Sequence, residues 1–161
     1  MNSIIAIDPG SEESAFVLMD RRTCHAEEFG KVPNEELRDY LRKIRHKTAD
    51  MAIEMIASYG MPVGREVFDT CVWIGRFLEA WESLGGTAAL VYRKDEKMQI
   101  CGSPRANDAT IRQALIDRYA YNVPNKGKGT KSDPGWFYGF KADIWQAYAV
   151  GVTYLDMQRK E

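Results

Sequence analysis

The sequence predicts a single α/β domain over residues 1–161, built as a mixed sheet layered with helices. Two observations predict it. Strand-like runs follow one another at the N-terminus, and buried-strand and helical patterns then alternate before two closing helices, giving the order βββαβαβαα. At 161 residues the chain is long enough to form a core without disulfides or structural metal.

Residues 3–8 read as a buried strand, and SAFVLMD (14–20) as a second strand after a short turn. HAEEFGKV (25–32) is a more polar third strand, so the chain opens as a meander. In PNEELRDYLRKIRHK the period changes: Leu37, Tyr40, Leu41 and Ile44 fall on one helical stripe. Asn34 suits the N-cap, acids fill the first turn and cations the last. ADMAIEMIA (49–57) is a buried strand interrupted by Glu54, and SYGMPVG a loop. Arg65 to Leu84 is helical, with Cys71, Ile74, Phe77, Leu78 and Trp81 on one side. TAALVY (87–92) follows the Gly85-Gly86 stop as a fifth strand. ANDATIRQALIDRYA (106–120) is a helix, residues 121–140 a long loop rich in Gly, Pro and Lys, and residues 141–158 the final helix.

Composition narrows the function. Apolar residues make up 45% and charged residues 28%, as in ordinary globular chains. A net charge of −1 argues against a protein that coats nucleic acid non-specifically, but it leaves room for a local basic groove. The three cysteines are widely spaced, there is no CxxC, and the two histidines are His25 and His46, which argues against a zinc site. Free thiols fit a reducing cytoplasm. The N-terminus lacks a basic region followed by an apolar core, and no apolar run approaches the roughly 18 residues of a membrane span, so neither secretion nor membrane insertion is expected.

Two acids interrupt apolar strands. Asp8 ends the first, just before Pro9-Gly10, and Glu54 lies within the fourth. Asp143 stands near the start of the last helix, with Gln146 one turn on along the same face. A desolvated carboxylate needs a proton, a hydrogen bond, a counter-charge or a metal. Acids from two strands and a helix can meet at one point, and oxygen-only ligands at a cleft suit Mg²⁺ or Mn²⁺. Taken singly, each acid also has an ordinary structural explanation as a turn, ion-pair or helix-start residue. Asp108 is best explained as a cap or first-turn acid.

The motifs IIAIDPG, MAIEMI and KADIWQAYAVGVT, with the block GTKSDPGWFYGFKADIWQA, resemble the RuvC family of Holliday-junction resolvases, and most of all its shorter phage and prophage forms. The resemblance covers nearly the whole chain in order and spacing. It implies an RNase H-like fold with a five-stranded mixed sheet flanked by helices, in a homodimer. It implies a structure-selective endonuclease of DNA recombination and repair that resolves four-way junctions and other branched DNA by two-metal hydrolysis. The expected cofactor is Mg²⁺, with Mn²⁺ able to substitute, and the expected location is the cytoplasm of a bacterium or a phage-infected host. Carried over by position, Asp8, Glu54 and Asp143 are the catalytic metal ligands. The family often has a second acid where this chain has Gln146, which is therefore either a neutral ligand or water-holder, or a sign that the ion geometry differs.

A junction nuclease without global positive charge needs local cations. Lys97 resembles a family lysine near the active site. Lys128 and Lys131 sit in the glycine-rich loop leading to Asp143, and Arg105 borders the preceding helix. The Arg38–Lys47 basic run reads as the wet face of its helix. Trp73, Phe77 and Trp81 serve either the core or a dimer interface, and Trp136, Phe137 and Tyr138 either stack on an unpaired base or anchor the loop. Two other functions compete: a non-catalytic junction-binding module with a decayed site, and an actin-like or sugar-kinase-type ATPase. The latter needs a duplicated fold that 161 residues do not accommodate.

Overall fold

The computed structural model describes residues 2–161. Its strands are β1 (Ser3–Asp8), β2 (Glu13–Asp20), β3 (Ala26–Pro33), β4 (Asp50–Met55) and β5 (Thr87–Tyr92). The helices are α1 (Asn34–Ile44), α2 (Arg65–Ser83), α3 (Arg93–Glu96), α4 (Asp108–Ala120) and α5 (Ile144–Arg159). The strands form one sheet in the order β3-β2-β1-β4-β5. β1, β2 and β3 pair antiparallel, as a meander requires, while β4 lies parallel to both β1 and β5.

Strand alternation sorts the core onto two faces. Ile4, Ala6, Val17, Met19 and Ala52 point toward α4, α5 and the 121–143 segment. Ile5, Ile7, Leu18, Met51 and Ile53 point toward α1 and α2. The last helix is buried on most sides from Ala147 to Val152. It lies close on β1 and β2 because residue 151 is glycine: a Cβ there would collide with the Met19 sulfur and crowd Ala6.

Several sequence expectations need correction. Asn34 does not cap α1 through its side chain; it is the first helical residue, is fully buried, and is used elsewhere. Of the two uses open to Trp73, Phe77 and Trp81, core packing against the sheet is the one the structure shows. Trp81 Nε1 donates to the carbonyls of Ala49 and Thr87, tying α2 to the start of β5. On α2 the exposed apolar side chains are instead Phe68 and Val72. Arg45, taken as part of a wet face, donates to the carbonyls of Thr48, Leu84 and Gly85.

The segment over residues 121–141 is folded rather than a plain loop. Gly129 bridges Pro134, and Phe137 and Phe140 are buried among Trp145 and Tyr148. Trp136 stacks on Tyr119 with centroids 5.0 Å apart and donates from Nε1 to the Tyr148 hydroxyl. Trp136 and Phe137 therefore anchor the segment, while Tyr138 stays exposed. After β5 the chain forms α3 and then a π-helical turn over Lys97–Cys101, ending at Gly102 in the left-handed region. Among the described residues, no helix is long and apolar enough to cross a membrane.

Candidate active site

β1 and β4 run parallel in a register that pairs Ile7 with Ile53. The next residues, Asp8 and Glu54, therefore lie side by side at the same end of the sheet. Both have the parity of Ala6 and Ala52, so both face α5. The start of α5 brings Asp143 and Gln146 to that end. One cleft of about 410 Å³ is lined by Asp8, Glu54, Asp143 and Gln146, with Arg93, Asp108, Arg112 and Trp145 around them.

The turn after Asp8 is held by a network that sequence periodicity does not reveal. The Ser14 hydroxyl donates to Asn34 Oδ1 at 2.6 Å, and Asn34 Nδ2 donates to the Gly10 carbonyl at 3.0 Å. The Gly10 amide donates back to Ser14 Oγ. A Cβ on residue 10 would strike the Glu13 carbonyl, so glycine is needed there. The network fixes the Pro9-Gly10 turn and with it the end of the strand that carries Asp8. Asn34→Ala leaves a buried Ser14 hydroxyl and Gly10 carbonyl short of partners. It is expected to cost about 1–3 kcal/mol, measured by urea denaturation; a variant as stable as the wild type would remove this role.

The electrostatics of the cleft are strained toward positive charge. Burial first, then the neighbouring Glu54 and Asp143, push the Asp8 carboxyl up to about 8, while Arg93 and Lys31 pull it down. Lys31, reaching in from β3, donates to Asp143 Oδ2 at 2.7 Å, and this bond raises the lysine. Arg93 pairs with Asp108 at the cleft rim. Asn107, not Asp108, caps α4, accepting from the Thr110 amide, so Asp108 is a first-turn acid that also lines the cleft. Arg112 lies over the Trp145 ring, 5.4 Å from its centroid.

A fourth acid stands behind this cleft. Glu96, at the end of α3, is fully buried, and burial followed by the neighbouring Glu54 raises its carboxyl. Gln146 Nε2 donates to Glu54 Oε2 at 2.7 Å and also to Glu96 Oε1. Glu96, Arg93 and Lys31 were missed in the sequence. The run RKDEK looks like solvated surface, and nothing in its pattern signals that its last acid turns inward. Among the described residues, no group of three or more His, Cys, Asp or Glu is drawn into a single cation-holding cluster. Lys31 engages Asp143, and Gln146 stands between Glu54 and Glu96. The donor set at the cleft consists of carboxylate and amide oxygens, without sulfur or imidazole.

The basic residues expected to bind DNA are placed differently. Lys97 begins the π-helical turn, Lys128 and Lys131 lie in the 121–141 segment, and Arg105 precedes α4. None of these residues is among those lining the cleft, where Arg93 and Arg112 supply the positive charge.

No protein-family profile matches the sequence, and no curated protein matches it. Solved structures do. RuvC from Thermus thermophilus superposes with a TM-score of 0.72 at 12% identity, covering 98% of this chain and 96% of the other. The same protein in complex with a Holliday junction substrate gives 0.71 at 12% identity, over 99% and 96%. The chain therefore has, along nearly its full length, the RNase H-like fold of RuvC, with the five-stranded mixed sheet between helices.

Proposed function

We propose that this chain is a metal-dependent, structure-selective endonuclease that resolves four-way DNA junctions and other branched DNA. The observation that carries the reading is the convergence of Asp8, Glu54 and Asp143, from two parallel strand ends and a helix start, on one cleft of this fold. Three carboxylates gathered where one of them is already forced toward its neutral form are costly without a counter-charge. The arrangement makes sense as a cation site. The likeness to a RuvC bound to a Holliday junction supports the choice of substrate.

The donor set at the cleft, carboxylate and amide oxygens without sulfur or imidazole, is of the hard type that suits Mg²⁺ or Mn²⁺. Asp8, Glu54 and Asp143 would hold the ions. Bound there, the ions supply Lewis-acid stabilisation of the charge that builds on the phosphate and the leaving 3′ oxygen. The chain's own groups do the rest. Arg93 and Arg112 hold the scissile phosphate at the cleft. Lys31, paired with Asp143 in this structure, would be available to a phosphate if Asp143 held a cation. Lys97, Arg105, Lys128 and Lys131 bind flanking phosphates farther from the cut, which positions the junction arms without reading sequence. A homodimer would place two such clefts on one junction.

The test is nicking of labelled four-way, three-way, flap and linear substrates by the purified protein in Mg²⁺. The reading expects cleavage of the branched DNAs, fastest on the four-way junction, and little on linear duplex. Equal cleavage of all four substrates would remove the structure selectivity. One observation favours a second reading, a junction-binding module without catalysis: the Gln146 amide occupies Glu54 and Glu96 where a metal site would want open oxygens. Tight junction binding with no nicking in either Mg²⁺ or Mn²⁺ would select it.

A further inference from the structure

A second pocket shares a wall with the cleft, since Ala142 and Asp143 line both. It measures about 350 Å³ and lies between β3, which gives Phe29 and Lys31, and the chain entering α5, which gives Gly139, Lys141 and Ile144. Ala15 pairs with Asp8 on one side and Lys31 on the other, so Lys31 stands in the row of the sheet that carries Asp8. Phe29, two residues earlier, keeps the same face. The floor of the pocket is apolar: the partly exposed Phe29 ring and the buried Ile144. The ring leans on Phe140, with centroids 5.0 Å apart. Gly139, at φ +80°, lies against its other edge, and a Cβ there would come within 3.2 Å of Phe29 Cε2 and Cζ. Lys31 and Lys141, both exposed, bring positive charge to the rim. Ala142 is held at φ +46°, a left-handed conformation that is uncommon for a residue with a Cβ. Strain of this kind gathers at ligand clamps, and here it sits in the wall between pocket and cleft. The volume is at the small end of the roughly 300–1,000 Å³ range of ligand pockets, which suits a single flat group.

We propose that this pocket is a nucleobase subsite, which takes a base unstacked at the branch point, next to the phosphate in the cleft, over Phe29 and Ile144 and between Lys31 and Lys141. The proposal rests on the nuclease reading and gives it a source of structure selectivity. A base in an intact duplex must be unpaired and unstacked to reach the pocket, whereas one at a branch point has already lost part of that cost. Stacking on a ring tolerates any base, because every base has a π-face. The subsite therefore selects DNA by how easily a base leaves the helix, not by its sequence.

The test uses a synthetic four-way junction, with Ca²⁺ replacing Mg²⁺ to hold back cleavage. 2-Aminopurine, whose fluorescence rises when it leaves the base stack, replaces in turn each base adjoining the crossover on one strand. Wild type is expected to brighten the probe at one of these positions. Phe29→Leu keeps apolar bulk but removes the ring; it should abolish that rise and weaken junction binding about tenfold. On a junction made abasic at that position, wild type and Phe29→Leu should bind alike, since the ring has no base to hold. Should Phe29→Leu fail to fold, Phe29→Met takes its place with the same expectations. A variant that brightens the probe as wild type does, or that is weakened equally on the abasic junction, would overturn the proposal. A wild type that nicks junctions in Mg²⁺ but brightens no probe refutes the subsite and leaves the nuclease reading standing. One that neither binds nor nicks junctions refutes both.

Discussion

Asp8→Asn is expected to make the metal-free protein more stable at pH 7.5. The Asp8 carboxyl, ordinarily at 3.8, is pushed up to about 8 in the folded chain by burial and by Glu54 and Asp143. The folded state then holds a proton that the unfolded state releases. Its stability falls as pH rises from about 4 toward about 8, and levels off above that. An asparagine has no such proton and is neutral throughout. The variant should gain about 2 kcal/mol near neutral pH. For a chain of this size that is roughly 4–8 °C in Tm. Below pH 4 the two curves should meet. Millimolar Mg²⁺ should raise the Tm of the wild type by several degrees through ligand linkage and leave the variant nearly unmoved. Parallel pH–stability curves for the two proteins would show that Asp8 is not strained in the way the cleft geometry implies. A site that gives up stability in order to work is a familiar pattern.

Phe137→Ala should produce the largest loss of stability in the 121–141 segment. Its ring is 0% exposed and touches Phe140, Trp145 and Tyr148, with Tyr119 at the edge. Truncating a buried phenylalanine costs about 3–5 kcal/mol, from lost transfer energy and the cavity left behind. That is on the order of 10 °C in Tm for a chain of this length. Because Phe137 packs on the first turn of α5, the damage should spread to Asp143 and lower cleavage as well. Tyr138→Ala, one residue on and exposed, is the control and should change Tm by less than about 2 °C. A Phe137→Ala protein with wild-type stability would mean that the segment is held by its backbone alone.

Strands and helices were legible where burial imposes a period. The meander follows from alternation and α2 from its helical stripe, whereas the parallel pairing of β1 with β4 shows only in the folded sheet. Asp8 and Glu54 were legible because an acid in an apolar strand is conspicuous, but Asp143, an ordinary helix-start acid by itself, was assigned its role by the family resemblance. Glu96 was not legible, because its neighbours are charged and its burial is decided by α5 packing across it. Asn34 was misread as a cap because its local setting suits one, while its real partners, Ser14 and Gly10, lie on another hairpin. The aromatic residues near 136–140 left two uses open, and only tertiary contact with Tyr119 and Tyr148 separates them.

The most direct test of the central claim is nicking of a synthetic four-way junction, comparing the wild type with Asp8→Asn in Mg²⁺ and in EDTA. Paired nicks are expected from the wild type in Mg²⁺, none in EDTA, and at least a thousandfold loss in Asp8→Asn, on the order of 4 kcal/mol of barrier, with junction binding retained. Cleavage by Asp8→Asn at the wild-type rate, or undiminished cleavage in EDTA, would contradict that claim.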